Sequence, residues 1–303
     1  MTKAGLIRPV TSFLSAPLAD SAAGAQIAVL GCPFDHGTAL RVGARLGPSA
    51  IRTASHELGS FDPESGLDLV TALGLVDLGD VAVTPSQVEP AFAAIEAASD
   101  AILAAGALPL TMGGDGMVSL PQLRAAARHH PDLVTVHIDA HSDCYPYREN
   151  TTATTFTRAA EEGLVATDLS FHIGLRGSAR HAEAWSHPKA LGYRLLPMKA
   201  LRAQGIAAAA REIVTAIGGR PVYLCFDMDF LDASVTPGVC NPVFGGASAS
   251  EALDLIEALA PLNIVTFDVN TVSPPQDVEN MTALMAATVM VQVLLCLVAG
   301  GSD

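Results

Sequence analysis

The sequence predicts an α/β fold built on a mainly parallel β-sheet with helices on both faces. Short apolar segments rich in β-branched residues alternate with longer segments of helical periodicity along the chain. Two of the apolar segments, far apart in the chain, run directly into spaced acidic residues, as expected where parallel strands end at one edge of a sheet. Half of the 303 residues are hydrophobic, which is enough for a sizeable core.

The elements follow from this alternation in chain order. The predicted strands are 26–31, 75–78, 108–112, 133–138, 171–175, 222–226 and 264–269. The predicted helices are 49–55, 86–105, 117–129, 155–161, 206–217, 249–259 and 282–300. Pro48 is placed to open the first helix. The last helix has transmembrane length, but it contains Gln292 and lacks basic flanks, so we interpret it as a buried helix that covers the sheet.

Residues 26–303 are predicted to form one domain, because no linker, repeat or low-complexity tract interrupts them. Residues 1–25 contain no apolar segment typical of a signal peptide and are interpreted as an N-terminal arm, either flexible or draped over the domain. The segment from Asp35 to Pro48 is rich in glycine and proline, which predicts a long ordered loop with a role in function or subunit contacts.

The charge distribution limits the class of partner. The net charge is −14 and no block of lysine and arginine occurs, which argues against nucleic acid and anionic membranes and favours a cationic small molecule. The five cysteines are scattered and odd in number, as expected of reduced thiols in a cytoplasmic protein.

The two acidic strand ends predict a metal site. Asp139, His141 and Asp143 alternate after one strand, and Asp227 and Asp229 follow another. Carboxylates with an imidazole suit Mn²⁺, Ni²⁺ or Zn²⁺. Such acids could also merely cap helices. Two clusters at one sheet edge favour a shared cation, because unpaired carboxylates repel one another.

Several further motifs occur in a fixed order: Gly31 to Asp35, Arg41 to Pro48, Gly113-Gly114-Asp115, Asp139 to Asp143, Ile173 to Gly177, Phe226 to Asp232 and Ser273-Pro274-Pro275. With these motifs the chain resembles the arginase/agmatinase ureohydrolases over nearly its whole length. The resemblance implies a three-layer α/β/α fold around an eight-stranded parallel sheet, usually in trimers or hexamers. It also implies two metal ions whose bridging hydroxide attacks a guanidinium carbon and releases urea.

The resemblance assigns the metal ligands and also shows a departure. Asp143 would belong to the first metal, Asp139 and Asp227 would bridge both ions, and His141 and Asp229 would complete the second. The family's metal-binding histidine after Gly-Gly-Asp is replaced here by Gly116. We therefore expect at most one ion per chain, Mn²⁺ or Ni²⁺, with the sequence leaving the choice of metal open.

Two further departures concern the substrate side. The family's histidine close to the reacting substrate aligns with Thr152, and the glutamate that helps to hold the guanidinium aligns with Thr271. Because these two positions are replaced, no catalytic residue is assigned. The substrate-binding residues are also unassigned.

Three residues near these motifs have competing interpretations. Cys144 is interpreted as a small neutral pocket residue and not as a reactive thiol. His137 is interpreted as structural and turned away from His141. His36 is kept as an outside candidate for the missing nitrogen ligand.

Three functions are compatible with this pattern. The favoured one is a catalytically impaired subunit that assembles with an active paralogue in a metal-dependent hydrolase of a guanidine or biguanide, as in heteromeric ureohydrolases that act on metformin. The alternative is an active agmatinase-like hydrolase with a modified metal site and a substituted guanidine or amidine as substrate. The third is a binding protein for a cationic guanidine compound.

Overall fold

Ten strands and ten helices make up the part of the chain that the structure, a computed structural model, describes, namely residues 11–37 and 41–300. The strands are β1 (Ile27–Gly31), β2 (Phe61–Asp62), β3 (Leu67–Asp68), β4 (Leu75–Asp80), β5 (Leu108–Met112), β6 (Val134–Ile138), β7 (Phe171–Ile173), β8 (Arg194–Leu196), β9 (Pro221–Asp227) and β10 (Asn263–Asn270). The helices are α1 (Gly47–Ser55), α2 (Leu69–Ala72), α3 (Val88–Ala104), α4 (Ser119–His129), α5 (Thr155–Glu161), α6 (Ser186–Ala190), α7 (Met198–Gln204), α8 (Ile206–Ile217), α9 (Ala249–Ala258) and α10 (Met281–Gly300).

Eight of the strands form one parallel sheet in the order β4-β1-β5-β10-β9-β6-β7-β8, and β2 and β3 form a separate antiparallel hairpin. The sheet strands are joined through helices, as parallel neighbours require. The predicted α/β/α fold with a large parallel sheet is confirmed. The four central strands β5, β10, β9 and β6 are adjacent, so their carboxyl ends meet at one place on the sheet edge.

The helices cover both faces of the sheet because strand side chains alternate between faces. In β1, Ile27 and Val29 pack into the core shared with α1, α8, α9 and α10, whereas Ala28 and Leu30 pack into a core on the opposite face with α3. Helices α4 and α5 extend this second layer. Apolar side chains on both faces explain why β1 is buried throughout.

Helix α10 is long and apolar enough to cross a membrane by length and composition, but half of this stretch is buried in the fold. It packs against α1 and α9. These contacts agree with the interpretation of 282–300 as a helix that covers the sheet.

Residues 11–25 of the predicted N-terminal arm pack on the domain. Phe13 is buried and its backbone N–H donates to Asp77 of β4. Leu18 forms a parallel bridge with Asp77. Residues 1–10 of the arm lie outside the described residues.

Candidate metal centre

The predicted acids meet where the central strands end. Asp139, His141 and Asp229 offer ligand atoms that all lie within 4.8 Å of one another. A second group with the same spacing contains His137, Asp139, Asp143 and Asp227. Asp139 belongs to both groups, so the two clusters form one continuous site.

Asp139 turns one carboxylate oxygen toward each group. Its Oδ1 lies 3.3 Å from His141 Nδ1, which is itself 3.5 Å from Asp229 Oδ2. Its Oδ2 lies 3.3 Å from His137 Nε2. A carboxylate that faces two clusters in this way is placed to bridge two ions, as the family resemblance implies for this position.

The local backbone explains how the acids after β6 converge. Strand β6 ends at Ile138, and the chain turns at Asp143, whose φ of 43° lies in the left-handed region that aspartate tolerates better than most residues. Gly174 has a φ of 103°, and a Cβ there would lie 2.4 Å from Phe230 and 2.8 Å from the Asp139 carbonyl oxygen. Glycine at this position lets the loop after β7 pass close behind the acids.

The carboxylates fit a divalent cation. Among the described residues, Asp227 Oδ1 and Asp229 Oδ1 are buried and have no hydrogen-bond partner. Buried oxygens of this kind are costly unless a hydrogen-bond donor or a cation satisfies them. The donor set of four aspartates with histidine nitrogen is typical of Mn²⁺ and related ions. The residues that would hold divalent metal are therefore Asp139, which belongs to both groups, with Asp143 and Asp227 on one side and His141 and Asp229 on the other.

The pKa shifts of the four carboxyl groups also agree with a site for a cation. Burial and the repulsion of neighbouring carboxylates raise the pKa of Asp143 and Asp227 well above the usual value. The same two causes raise the pKa of Asp229 to about 7. For Asp139 burial also opposes ionisation, but hydrogen bonds from Asp229 and the histidines outweigh it and hold its pKa well below the usual value. The site is therefore strongly electronegative.

The interpretation of His137 as turned away from His141 is wrong. His137 Nε2 lies 2.8 Å from Asp227 Oδ2, and the side chain is fully buried beside the acids. Residues 137, 139 and 141 are two apart, so an extended chain points them to the same side. His137 therefore lies beside the acids and can hydrogen-bond to Asp227.

His36 does not lie with the acids. Its side chain is exposed, and it lines a surface groove with Asp35, Arg45 and Pro85. It is absent from the metal-ligating groups formed by the described residues. The structure thus provides no support for His36 as the missing nitrogen ligand.

A cleft leads from solvent to the centre and has two lobes that both reach His141. One lobe, of about 370 Å³, is lined by Asp143, Tyr145, Tyr147, Thr152 and Arg180, among others. The other, of about 560 Å³, is lined by Arg41, Arg180, Asn241 and Phe244, among others. Among the described residues that line this cleft, Asp143 is the one acid, and Arg41 and Arg180 are the arginines.

Comparison with known proteins identifies the family. The model of the arginase family matches residues 25–296. The chain belongs to the arginase family. It is 37% identical to guanidinopropionase of Pseudomonas aeruginosa over 297 residues, which is 96% of this chain and 92% of the relative. It is 35% identical to mouse mitochondrial guanidino acid hydrolase over 291 residues, which is 95% of this chain and 81% of that protein.

Solved structures of arginase-family proteins agree with this assignment. Proclavaminate amidino hydrolase from Streptomyces clavuligerus superposes with a TM-score of 0.92 at 30% identity, with 96% of this chain and 98% of that chain covered. Trypanosoma cruzi formiminoglutamase, solved with Mn²⁺, superposes with a TM-score of 0.84 at 28% identity, with 95% and 98% covered.

Positions 116 and 152, where the resemblance to the ureohydrolases implies histidines, lie at the same centre. A Cβ at Gly116 would lie 3.0 Å from Asp143 Oδ2 and 3.8 Å from Asp227 Oδ1, so position 116 faces the first metal group. Thr152 lines the cleft beside His141, and among the described residues its buried hydroxyl has no hydrogen-bond partner.

Thr271 is buried and its hydroxyl is committed to the backbone. The hydroxyl donates to the Asn270 carbonyl at 2.6 Å and accepts from the Met228 N–H at 3.0 Å. A side chain held in this way presents no charge to the cleft. The residue therefore has no means to orient a guanidinium as a carboxylate would.

Cys144 is a core residue and does not line the described cleft. It is fully buried among Leu123, Phe156 and Tyr193. Burial raises the pKa of its thiol to about 12. The interpretation of Cys144 as neutral is consistent with this environment, but its place is behind the pocket.

Proposed function

We propose that this chain is a metal-binding, cytoplasmic subunit of a ureohydrolase, that its own turnover is impaired, and that it assembles with an active paralogue. The observation that carries the proposal is the residue type at two positions: Thr152 lines the cleft, and Thr271 is buried and bonded to the backbone between Asp227 and Asp229. Both positions hold neutral hydroxyl side chains beside an otherwise complete set of acids. The acids of the metal centre are kept, and the groups that would handle the substrate are replaced.

The chemistry lost at these positions is specific. When bound, divalent metal would lower the pKa of water and supply a nucleophile. The threonine hydroxyl at position 152 titrates far from neutral pH, so it is a poor substitute for a histidine in proton transfer. Thr271 offers the guanidinium no bidentate carboxylate. Each loss impairs a different part of hydrolysis, so together they account for a low intrinsic rate.

The test is urea release by the purified chain loaded with Mn²⁺ or Ni²⁺. The substrates are guanidinopropionate, guanidinobutyrate, agmatine and metformin, each supplied to the chain alone and to the chain co-expressed with a paralogue that keeps the histidine and the glutamate. We expect no urea above the metal-only blank from the chain alone. We expect turnover from a complex that contains both chains.

A second function is favoured by one observation, the pair of arginines in the cleft. Arg41 and Arg180 could bind the carboxylate of a guanidino acid while its guanidinium approaches the centre. Relatives named guanidinopropionase and guanidino acid hydrolase act on such compounds by their names. Urea release by the chain alone, abolished in an Asp139→Asn variant and selective for guanidino acids over agmatine, would establish this function and refute the impaired subunit.

A further inference from the structure

We propose that His137 supplies the nitrogen ligand of the first metal site, which Gly116 leaves without one. The inference rests on the proposed function only in taking the chain to bind divalent metal. His137 is not among the ligands that the family resemblance implies, so the site would be a rearranged version of the family's first site.

The positions of the ligand atoms carry the inference. His137 Nε2 lies 2.8 Å from Asp227 Oδ2 and 3.3 Å from Asp139 Oδ2, and Asp143 completes the group within 4.8 Å. Two ligands bonded at right angles to one ion at about 2.1 Å stand about 3 Å apart. The contacts of His137, the shorter of which is a hydrogen bond here, would therefore also suit two ligands of one ion.

An unpartnered oxygen faces the same space. Asp227 is 1% exposed, and its Oδ1 has no hydrogen-bond partner among the described residues. This atom would lie 3.8 Å from a Cβ at Gly116, which in turn would be 3.0 Å from Asp143 Oδ2. The buried oxygen thus lies beside Gly116 and Asp143, while the other oxygen of the same carboxylate contacts His137, and a cation between these groups would satisfy it.

The imidazole is held in an orientation suited to a ligand. His137 Nδ1 lies 2.9 Å from His172 Nδ1, and its ring packs 4.2 Å from the ring of Phe156. His172 is fully buried, and its Nδ1 can accept a hydrogen bond from His137 Nδ1 at this distance. A proton on His137 Nδ1 would then be donated to His172. This leaves the lone pair of His137 Nε2 facing the acids, as with metal-ligating histidines that donate through their other nitrogen.

The experiment measures metal stoichiometry without any assay of turnover. The full chain is stripped with a chelator, reloaded with Mn²⁺ and desalted, and the bound metal is counted by elemental analysis and by calorimetric titration. The variants are His137→Gln, Asp143→Asn and His141→Asn, with His36→Gln as a matched control for loss of a histidine outside the centre. Asparagine at position 143 tolerates the left-handed backbone there.

We expect two equivalents in the unaltered chain and in His36→Gln, in contrast to the single ion per chain expected from the loss of the family's histidine at position 116. His137→Gln and Asp143→Asn should each retain one equivalent, and the double variant His137→Gln/Asp143→Asn should also retain one, because both residues serve the same ion. One equivalent in the unaltered chain at saturating Mn²⁺ would overturn the proposal. Two equivalents in a folded His137→Gln variant would overturn it as well, since His137 would then only hydrogen-bond to Asp227.

A crystal structure of the unaltered chain with Mn²⁺ decides the question if His137→Gln fails to fold. An anomalous peak at bonding distance from His137 Nε2 is the expected result, and a peak that lacks this contact refutes it. Neither outcome depends on urea release or on a partner chain. Failure of this inference is therefore distinguishable from failure of the proposed function.

Discussion

Thr271 has an unfavourable backbone conformation. Its φ of 70° is in the left-handed region, which is rare for a β-branched side chain. Four hydrogen bonds hold it there. Its N–H donates to Gly114 O and its carbonyl accepts from Cys240 N–H, while its hydroxyl accepts from Met228 N–H and donates to Asn270 O. Conformations of this kind persist only when the surroundings fix them, and they concentrate at functional sites.

The hydroxyl of Thr271 should contribute measurably to stability. Thr271→Val keeps the shape and the β-branching but leaves the buried Met228 N–H without an acceptor, which costs about 1–3 kcal/mol. The free energy of unfolding from urea titration measures the loss. Thr271→Ser, which keeps the hydroxyl, is the matched control, and equal destabilisation by both variants would show that the hydrogen bond is unimportant.

Replacing Gly116 alone should not restore catalysis. In Gly116→His the new Cβ meets Asp143 Oδ2 at 3.0 Å and Thr152 Cγ2 at 3.1 Å, so both neighbours must shift. Thr152 still cannot transfer a proton, and a missing general acid or base costs about 10²–10⁴-fold in rate. Urea release from agmatine and guanidinopropionate should stay at the level of a Gly116→Ala control. Robust turnover by Gly116→His would show that positions 152 and 271 matter less than we propose.

Much of the centre could be predicted from the sequence, since the convergence of Asp139, His141 and Asp143 with the acids after β9 follows from strand ends in a parallel sheet. The position of His137 was missed, although it lies two residues before Asp139 and strand alternation places both side chains on the same side. The hydrogen bond from the Met228 N–H to the Thr271 hydroxyl could not be predicted, because the two residues are distant in the chain. Long-range hydrogen bonds of this kind leave no local pattern.

At the scale of elements, seven strands of the main sheet were predicted and β8 was not. Arg194–Leu196 is a three-residue edge strand with one exposed and two half-buried residues, too short to show a period. The hairpin of β2 and β3 was missed for the same reason, since each strand has two residues. The longer elements were predicted with boundaries close to those observed, because their apolar period continues over several residues.

A buried ion pair links α1, β4 and the segment before β1. Arg52 of α1 donates to both carboxylate oxygens of Asp77, at 2.8 and 3.0 Å. Asp77 also accepts from the N–H groups of Phe13 and Gly79. Four donors on one fully buried carboxylate make Asp77 the centre of this contact.

Asp77→Ala should destabilise the chain strongly. It leaves the Arg52 guanidinium buried next to only one remaining carboxylate, and breaking such a pair costs about 3–5 kcal/mol. The control is Asp80→Asn, because the side chain of Asp80 is 39% exposed and its ion pair with Arg52 contributes about 0–1 kcal/mol. Urea unfolding followed by circular dichroism measures both. A loss below about 1 kcal/mol in Asp77→Ala would contradict a structural role for this pair.

At the scale of the whole molecule, the motifs that carry the family resemblance serve contacts within this chain. The Arg176 guanidinium donates to the carbonyl oxygens of Asp229, Leu231 and Val243 and so fixes the loop after β9. In the first motif, Asp35 accepts from the N–H of Gly43. Because folding alone explains these residues, their presence is not evidence for a subunit interface. Assembly has to be tested directly.

We expect this chain to assemble with an active paralogue. Co-expression with an active paralogue should give a trimer or hexamer that contains both chains, measured by light scattering and native mass spectrometry. The variant Asp139→Asn/Asp227→Asn in this chain should leave urea release by the complex largely intact, because turnover belongs to the partner. The same change at the equivalent acids of the partner should abolish it.

The stability of the double variant must be known before its activity is interpreted. Removing two carboxylates from a buried electronegative cluster relieves repulsion if no cation is present, and weakens the fold if a cation was holding the strand ends together. Thermal melting with and without Mn²⁺ separates these cases, because only a chain that uses the centre structurally gains stability from the ion. A folded double variant that assembles normally yet removes all urea release from the complex would make this chain catalytic, and the guanidino acid hydrolase would then be the correct function.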